Sequence, residues 1–331
     1  MRILALADGM NGVIYHRIYT PLMRLQLDGH ATVDIAQDSD TMLNQVRFED
    51  YDLIVFNRWL GAYHYDILKK IAKSGTPYVV DVDDYWVLPK YNPAYWAYRQ
   101  GIKSAIKDAI HYADAVTCTT PQLAKKVKEF NKNVVVLPNC IDHEHEQWKH
   151  TRIENEKLKI GWIGGITHHE DLKLIVDAIT RIGEEGLADF YMCGYTDNDI
   201  WNQICAMFKG DWFHVVRGTN ASAYGEVYKH FDLIVAPLQA TSFNSCKSEL
   251  KIVEASAYGL PIVVSAVEPY TNHIDNGGVI YAKPDEWYQS IKQAMSNTKE
   301  LGESNALYCD KFHNLKVTNI QRLKLYESLC K

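Results

Sequence analysis

The segment FNSCKSELKIVEASAYGLPIVVS, residues 243–265, combines a polar loop, an amphipathic helix, a Gly-Pro stop and an apolar strand. Asn244 or Ser245 is predicted to cap the helix, which is expected to begin around Lys247. The Gly-Leu-Pro run at 259–261 is predicted to end it, because glycine suits the residue after a helix and proline does not continue one. A helix followed at once by a buried strand is typical of a parallel α/β fold.

One face of this predicted helix carries charge. Lys247, Lys251 and Glu254 recur at intervals of four and three residues, which places them on the same side. A helix N-terminus presents N–H donors, two lysines add positive charge, and a carboxylate one turn further accepts from sugar hydroxyls. The pattern suits a ribose diphosphate, as in a nucleotide-sugar. The alternative is a surface helix whose lysines and glutamate form solvated salt bridges.

The composition excludes several protein classes. A chain of 331 residues is predicted to form two domains. The net charge of −6 argues against a generally basic, nucleic-acid-coating protein. The apolar runs have the length of strands, so no transmembrane helix and no stable membrane insertion are expected. The first residues, MRILALADG, begin a strand rather than a signal peptide, and seven scattered cysteines favour a reducing compartment. We therefore expect a cytoplasmic protein.

Strand-like and helix-like runs alternate along nearly the whole chain, and most of the strands are apolar on both faces. This pattern predicts parallel sheets covered by helices on each side. The polar stretch at 141–157 interrupts it and is interpreted as a linker between residues 1–140 and residues 158–305. The fold class is therefore α/β, with two doubly wound Rossmann-like domains facing a cleft, and function is expected in the loops that follow strands.

The first such loop is DGMNGVIYHR, residues 8–17. Its glycines permit close approach of the backbone, and His16 and Arg17 could donate to an anion or a sugar. Asn11 and Gly12 are predicted to contact the acceptor or the sugar. The alternative is a tight turn in which Arg17 pairs with a nearby acid. The loop does not match G-x-G-x-x-G, which counts against an NAD-dependent oxidoreductase.

The second loop contains three carboxylates in four residues, Asp81, Asp83 and Asp84. They repel one another unless they pair, bind a cation or accept hydroxyl groups. Asp81 and Asp83 should point to the same side of the strand and could hold Mg²⁺ or Mn²⁺ against a diphosphate. The metal-free interpretation is favoured, in which Asp83 or Asp84 caps the next segment or binds sugar hydroxyls, because lysines already supply positive charge for the phosphates.

The third loop is GWIGGITHHEDL, residues 161–172. Gly164 and Gly165 followed by Thr167 as a helix cap predict a cradle for phosphate. His168 could contact phosphate or the leaving-group oxygen. A metal is not expected here, because histidines adjacent in sequence rarely chelate together.

Five motifs together resemble a glycosyltransferase of the GT-B fold, similar to glycosyltransferase family 4 and its short bacterial and bacteriophage relatives. They are CKSELKIVEASAYGLPIVVS (246–265), GVIYHR (12–17), VVDVDD (79–84), LPNCID (137–142) and GWIGGITHHEDL (161–172). The resemblance covers nearly the whole chain. It implies sugar transfer from a nucleotide-sugar with retention of configuration, usually without a bound metal. It also implies that a closing helix, residues 306–331, packs back on the amino-terminal domain.

The resemblance assigns Glu254 to the second glutamate of an E-x7-E motif, which binds the donor ribose. The first glutamate of the motif falls on Cys246, which is a departure from the family pattern. The family's Arg-Lys pair for the diphosphate has no evident match, so Lys247 and Lys251 are expected to replace it with help from His168.

The predicted site falls into three groups. Residues expected to act in catalysis are Asp83, His16, Arg17 and His168. Residues expected to bind the donor are Gly164, Gly165, Thr167, Lys247, Ser248, Glu249, Leu250, Lys251, Glu254, Gly194 and Arg217. Residues expected to contact the acceptor or sugar are Asn11, Gly12, Asp84 and Arg58. No cofactor is expected to be required.

The function predicted from these residues is transfer of a hexosyl or pentosyl group from a nucleotide-sugar donor to a hydroxyl acceptor. Glycosyl transfer develops positive charge on the sugar and negative charge on the departing diphosphate, which suits lysines opposite carboxylates. The acceptor stays open among a polysaccharide, a small molecule, a protein and a modified DNA base. The alternatives are a nucleotide-sugar epimerase and a non-catalytic nucleotide-sugar-binding protein of the same fold.

Overall fold

The computed structural model describes residues 1–7, 9–37 and 39–330, which form two compact units. The first unit comprises the described parts of Met1–Cys140, Cys246–Ser248 and Leu315–Lys331. The second comprises Ile141–Ser245 and Glu249–Asn314. Among the described residues, no helix is both long and apolar enough to cross a membrane.

The first unit is built on six parallel strands in the order β2-β1-β3-β4-β5-β6. These strands are β1 (Arg2–Leu6), β2 (Thr32–Ala36), β3 (Leu53–Asn57), β4 (Tyr78–Val82), β5 (Ala115–Cys118) and β6 (Val134–Val136). Alternate residues of β1 enter different apolar clusters: Leu4 lies in one, and Ile3 and Ala5 lie in the other. Because successive side chains of a strand point to opposite faces, the sheet has a core on each side, as the doubly apolar strands predict.

Helices cover both faces of this first sheet. They are α1 (Gly12–Ile14), α2 (Thr20–Leu27), α3 (Ser39–Asn44), α4 (His64–Ser74), α5 (Tyr95–Ala97), α6 (Lys103–Tyr112) and α7 (Pro121–Val127). The aromatic segment before α6 is not one straight helix. A π-helical turn, Tyr98–Ile102, joins α5 to α6, and Gly101 within it has a φ of 159°.

The second unit repeats the plan with six parallel strands in the order β12-β11-β10-β7-β8-β9. These strands are β7 (Lys159–Ile163), β8 (Asp189–Tyr195), β9 (Phe213–Arg217), β10 (Leu233–Ala236), β11 (Ile262–Ser265) and β12 (Val279–Ala282). Again the side chains alternate: Leu233 and Val235 of β10 enter one apolar cluster, and Ile234 and Ala236 enter another.

The remaining α-helices are α8 (His169–Leu172), α9 (Val176–Glu184), α10 (Asp199–Cys205), α11 (Leu250–Ser256), α12 (Trp287–Met295), α13 (Thr298–Phe312) and α14 (Leu315–Leu329). The last helix belongs to the first unit, where Asn319 donates from Nδ2 to the Pro21 carbonyl at 2.9 Å and Tyr326 joins an apolar cluster. The closing stretch is therefore two helices rather than one, and the boundary expected at residue 305 falls inside α13.

The predicted linker, residues 141–157, belongs to the second unit. Gln147 accepts from the Gly225 N–H at 2.9 Å, and the Trp148 ring packs near Tyr228 and Tyr258. Gln147 and Trp148 are both buried. The stretch lacks apolar periodicity because scattered side chains, Ile141 and Trp148 among them, attach it to the core in place of a regular face.

Candidate functional site

Each sheet has a position where the strand order reverses. In the first unit it lies beside β1, which has β2 on one side and β3 on the other. In the second unit it lies between β7 and β10. Ligands of open parallel sheets bind at the carboxyl ends of the strands at such positions. Ligand-binding residues are therefore expected in the loops after β1, β3 and β4 of the first unit and in the loops after β7, β8 and β10 of the second.

The centre of the first unit's polar cluster is an ion pair between Arg17 and Asp81. Arg17 donates from Nε to Oδ2 at 3.0 Å and from Nη2 to Oδ1 at 2.7 Å. Arg17 Nη1 also donates to the Leu137 carbonyl at 2.8 Å and to Asn139 Oδ1 at 3.1 Å. Thr117 Oγ1 donates to Asp81 Oδ1 at 2.6 Å.

Both partners of this pair are buried, with side chains exposed by 2% and 3%. Burial works to lower the pKa of Arg17, but the Asp81 carboxylate outweighs it and raises the pKa of the guanidinium, which stays charged. The geometry corresponds to the alternative interpretation of the first loop, in which Arg17 pairs with an acid. Arg17 also donates to both carboxylate oxygens of Asp81. Asp81 would need one of these oxygens to bind a cation together with Asp83.

The neighbouring residues of the first loop have local roles in the structure. Asn11 caps α1, since its side-chain oxygen accepts from the N–H groups of Val13 and Ile14 at 3.0 Å each. Gly12 is exposed at the start of that helix. His16 is buried next to Arg17 in a π-helical turn, Tyr15–Tyr19, and its ring lies edge-on to Tyr15.

A second ion pair, Arg58 with Asp83, follows β3 and β4. Arg58 Nε lies 2.9 Å from Asp83 Oδ1, and Asn57 Nδ2 donates to the same oxygen at 3.0 Å. Burial raises the pKa of Asp83, while Arg58 partly offsets the rise. Arg58 has a positive φ of 43°, an uncommon conformation for a residue other than glycine. A carboxyl group with a raised pKa at a strand end is typical of functional sites.

The segment Cys246–Ser248 packs with the first unit rather than with the helix that follows it. Cys246 is fully buried in the same apolar cluster as Trp86. Lys247 Nζ lies 3.4 Å from Asp84 Oδ2, and Asn139 Nδ2 donates to Ser248 Oγ at 2.7 Å.

This packing corrects the helix start predicted around Lys247, since α11 begins at Leu250. Lys247 therefore does not share a helix face with Lys251 and Glu254. Asn244 and Ser245 also do not cap α11. The Asn244 amide donates instead to Asp171 Oδ1 at 3.0 Å and to the Gln239 carbonyl at 3.0 Å.

In the second unit, glycines let the ends of β7 and β8 approach closely. Gly164 donates its N–H to the Cys193 carbonyl at 3.1 Å, and Gly194 has a φ of 106°. A Cβ on Gly194 would lie 2.2 Å from the Gly164 carbonyl oxygen, so only glycine fits there. Gly165 is exposed beside them. The loop has the exposed backbone of the predicted phosphate cradle, but Thr167 lies inside a 3-10 turn, Ile166–His168, and is not a cap.

His168 is held by a buried carboxylate at the switch point. Its Nδ1 lies 2.8 Å from Asp171 Oδ2, and Asp171 is only 3% exposed. The other carboxylate oxygen accepts from the Gln239 N–H at 2.8 Å as well as from the Asn244 amide. Asp171 thus ties the loop after β7 to the loop after β10 and orients the imidazole of His168. A histidine positioned by a second group in this way is suited to donating to an anion.

Glu254 lies inside α11, fully buried, with three hydrogen-bond donors around its carboxylate. Tyr228 donates to Oε2 at 2.5 Å, Lys251 Nζ donates to Oε2 at 2.7 Å, and Tyr224 donates to Oε1. Burial raises the pKa of the Tyr228 phenol well above its usual value, and the Glu254 charge adds to the rise. The Lys251 side chain remains 25% exposed. The pair therefore combines a fixed buried carboxylate with a cation that reaches the surface of the unit.

Arg217, at the end of β9, is exposed and lies over the ring of Tyr195 at 5.6 Å. Tyr195 OH donates to Asn202 Oδ1 at 3.0 Å, which holds the ring. A planar guanidinium and an aromatic ring at strand ends are suited to contact with a base. Of the remaining predicted donor residues, Leu250 is half-buried at the start of α11, and Glu249 is buried just before it.

Three residues of the second unit's clusters escaped the sequence analysis: Asp171, Tyr224 and Tyr228. Asp171 carries a detectable signal, because it follows His168 by three residues, the spacing of side-chain pairs on a helix. The two tyrosines recur at a helical spacing of four residues, but nothing local connects them to Glu254, which lies 26 residues beyond Tyr228.

Residues 157–297 match the family model described as "Glycosyl transferases group 1". The match covers less than half of the chain and includes the glycine loops, His168, Lys251 and Glu254. No sequence among curated proteins matches significantly.

Solved structures similar to this chain include an α-glucosyltransferase in complex with UDP, with a TM-score of 0.74, 13% identity and coverage of 99% of this chain and 100% of the other. An α-glucosyltransferase in complex with UDP-glucose and DNA containing an abasic site has a TM-score of 0.70 at 13% identity, with 99% of each chain covered. A UDP-forming α,α-trehalose-phosphate synthase from Burkholderia xenovorans has a TM-score of 0.64 at 10% identity, again with 99% of each chain covered. The two parallel six-stranded sheets with their helices are those of the two-domain GT-B fold, which confirms the predicted fold class.

Proposed function

We propose that this protein is a retaining glycosyltransferase, similar to family 4, that moves a hexosyl or pentosyl group from a nucleoside diphosphate sugar to a hydroxyl acceptor. The observation that carries the proposal is the Lys251–Glu254 pair, which lies within the segment that matches the glycosyltransferase model. A fully buried carboxylate is expensive to keep charged unless it is paired and hydrogen-bonded, and this one has both kinds of partner.

Glu254 is the residue proposed to bind the ribose of the donor. Tyr228 and Lys251 hold one carboxylate oxygen, while Tyr224, which is only partly buried, holds the other. A ribose hydroxyl donating to that second oxygen would take the place of the Tyr224 hydroxyl. Lys251 could then turn its exposed ammonium toward the diphosphate, where a charge-assisted hydrogen bond contributes about 1.5–3 kcal/mol.

His168 and the glycine loop are proposed to receive the diphosphate. Asp171 fixes the imidazole, so a proton on its other nitrogen would be directed to one position. Gly164 and Gly165 leave backbone uncovered by side chains, which allows phosphate oxygens to approach N–H groups. Lys247, which the sequence analysis assigned to the donor, pairs with Asp84 inside the first unit.

Uridine is the base that we propose for the donor. The similar solved structures are described as complexes with UDP or UDP-glucose, or as a UDP-forming enzyme. Tyr195 and Arg217 supply the ring and guanidinium that would contact the base.

The proposed chemistry breaks the bond between the anomeric carbon and the diphosphate oxygen and forms a bond from that carbon to the acceptor oxygen. The acceptor's proton passes to the departing diphosphate, so no separate base is required. Asp83, with its raised pKa, is proposed to bind a sugar or acceptor hydroxyl in the first unit. No metal cofactor is proposed at Asp81 and Asp83, because Arg17 engages both oxygens of Asp81.

One observation favours a second candidate, a non-catalytic nucleotide-sugar-binding protein. Cys246 stands where the family has a carboxylate near the donor sugar, and its thiol is buried in the apolar cluster of the first unit. A buried thiol at this position does not supply the carboxylate oxygens of the family pattern.

Incubation with a panel of radiolabelled nucleoside diphosphate sugars, with and without added Mg²⁺ or Mn²⁺, tests the proposal. We expect release of nucleoside diphosphate from a UDP-sugar, by transfer to an added hydroxyl acceptor or slowly to water, at the same rate with or without the metals. Binding without turnover of any donor would support the non-catalytic candidate. Conversion of one nucleotide-sugar into another would support an epimerase. Equal affinity for UDP and uridine would contradict a diphosphate site.

A further inference from the structure

Three side chains of the second unit that could ligate a metal converge from distant parts of the sequence. Glu249 lies just before α11, His273 ends a 3-10 turn (Tyr270–His273) after β11, and His313 directly follows α13. One carboxylate oxygen and one ring nitrogen from each histidine all lie within 4.8 Å of one another. Glu249 and His313 are 2% and 4% exposed, and His273 is 8% exposed.

The carboxylate of Glu249 is incompletely satisfied by protein groups. Its Oε1 is buried and has no hydrogen-bond partner. The His313 Nδ1 lies 3.6 Å from Oε1, and the His273 Nε2 lies 3.9 Å from Oε2. Both distances are too long for hydrogen bonds. A buried carboxylate oxygen without a partner is costly, so the position calls for a group that protein atoms do not supply.

These distances suit donors that share one ion. With Zn–N and Zn–O bonds of about 2.0–2.2 Å, the donors of a tetrahedral zinc site lie about 3.4 Å apart. The 3.6 Å separation is measured to Oε1 and the 3.9 Å separation to Oε2, and both are close to that value. One carboxylate oxygen and one nitrogen from each histidine lie within 4.8 Å of one another, so shortening each separation by about 1.4 Å or less would give the spacing of donors around a common centre.

The surroundings of His273 fit the same interpretation. Its Nδ1 lies 3.4 Å from the hydroxyl of Tyr308, a residue of α13. A ligating histidine almost always uses its second nitrogen in a hydrogen bond that fixes the orientation of the ring. Here that bond leaves Nε2, the nitrogen on the Glu249 side, as the donor to a metal.

We propose that Glu249, His273 and His313 bind one divalent transition-metal ion of the Zn²⁺ class. Two imidazoles favour Zn²⁺ and its first-row neighbours over Mg²⁺ or Ca²⁺, which prefer oxygen ligands. Three protein ligands leave a fourth tetrahedral position for water. The sequence analysis, which expected no metal, assigned Glu249 to the donor loop instead.

The site would join three segments of the second unit. Glu249 immediately precedes α11, and α11 carries Lys251 and Glu254. A metal held there would fix the start of α11 to the end of α13 and to the turn after β11. Metal binding would therefore stabilise the second unit as folded, because an unfolded chain does not present the three ligands together.

The test uses the untagged chain of 331 residues, stripped with a chelator, dialysed and titrated with Zn²⁺, then with Co²⁺. We expect one equivalent of Zn²⁺ to bind and to raise the melting temperature, and one equivalent of Co²⁺ to give the visible absorption of a tetrahedral site. Glu249→Gln, His273→Gln and His313→Gln should each weaken Zn²⁺ binding by about 100-fold or more. Tyr308→Phe should weaken it by roughly 10-fold, as expected for a residue that only orients a ligand.

His214→Gln is the matched control, since His214 lies in the same unit outside the cluster and should leave Zn²⁺ affinity unchanged. Circular dichroism of the stripped variants separates lost binding from lost folding. Absence of stoichiometric Zn²⁺ binding by the folded parent protein would overturn the proposal, as would unchanged affinity in both Glu249→Gln and His313→Gln. UDP binding, measured separately, keeps the outcome independent of the proposed transferase activity.

Discussion

Each unit pairs a cationic side chain with a buried carboxylate, but the two cations differ in exposure. In the first unit, the Arg17 guanidinium and the Asp81 carboxylate are both closed off from solvent, and all of the hydrogen bonds described above for Arg17 go to protein atoms. In the second unit, Glu254 is equally buried, but its partner Lys251 keeps a quarter of its side chain exposed. Both pairs lie in a doubly wound α/β unit. The exposure of the cation therefore distinguishes the two pairs. The buried Arg17–Asp81 pair stabilises the fold, whereas the Lys251 ammonium is accessible to a ligand.

The largest effect is expected from breaking the closed pair. Arg17→Ala should lower the free energy of unfolding by about 3–5 kcal/mol, because it leaves the Asp81 charge buried without its partner. Denaturant unfolding followed by circular dichroism measures the loss. The double variant Arg17→Met with Asp81→Leu should recover much of it, since both charges are then removed. A loss below about 1 kcal/mol with abolished activity would instead return Arg17 to the catalytic group.

The exposed pair should respond in binding as well as in folding, because Lys251→Met leaves Glu254 buried with its tyrosine donors but without its cation. Lys251→Met keeps the aliphatic stem and removes the charge, so UDP affinity should fall by about 1.5–3 kcal/mol and uridine affinity should fall less. Calorimetric titration of both nucleotides measures the difference. Lys173→Met, at an exposed ion pair with Glu170, is the control. Equal losses for UDP and uridine would argue against a contact with the diphosphate.

The glycines after β7 and β8 differ from both ion pairs, because their role depends on backbone conformation alone. Gly194→Ala should lower the free energy of unfolding by about 1–3 kcal/mol, as measured by denaturant unfolding, since its φ of 106° and the nearby Gly164 carbonyl leave no room for a Cβ. Gly165→Ala is the matched control for stability, with a φ of −112° and open space at its Cβ position. If both substitutions had the same effect, close approach of the two loops would not be the cause.

The smallest effect concerns a buried neutral group of the first unit. Burial lowers the pKa of His64, whose Nδ1 accepts from the Leu60 N–H at 3.2 Å and whose Nε2 lies 3.0 Å from the Ala105 carbonyl. A lowered pKa in the folded state means that His64 contributes stability above its unfolded pKa of about 6.5. This contribution is lost as the pH falls from there through the folded value.

One proton changes stability by at most about 1.4 kcal/mol per pH unit. The free energy of unfolding should therefore decline between pH 7 and pH 5 more steeply in the parent protein than in His64→Gln. Urea unfolding at several pH values measures both slopes. Parallel slopes would show that His64 does not titrate on unfolding in this range.

Local sequence patterns predicted most of the strands and the doubly wound fold, because apolar character on both faces of a strand needs only neighbouring residues to be recognised. The same approach was wrong about the start of α11. Lys247 stands four residues before Lys251, the spacing of one helix face, yet Cys246 packs in the apolar cluster of the first unit and the Asn244 amide donates to Asp171. The stretch interpreted as a linker shows the same dependence on distant residues, since Trp148 packs near Tyr228 and Tyr258, which lie far along the chain.

The sequence by itself determined the parallel α/β architecture, the glycine loops and the positions where charged residues follow strands. Only the tertiary structure decided which charges meet. Arg17 reaches Asp81 across 64 residues, and Glu249 lies beside two histidines brought in by different elements. Hydrophobic periodicity involves residues that are close together in the sequence, so it can be recognised without the structure. Pairing and burial depend on segments that folding brings together. The neighbours of a lysine or histidine in the folded chain therefore decide whether its side chain is solvated, held in an ion pair or able to bind a ligand.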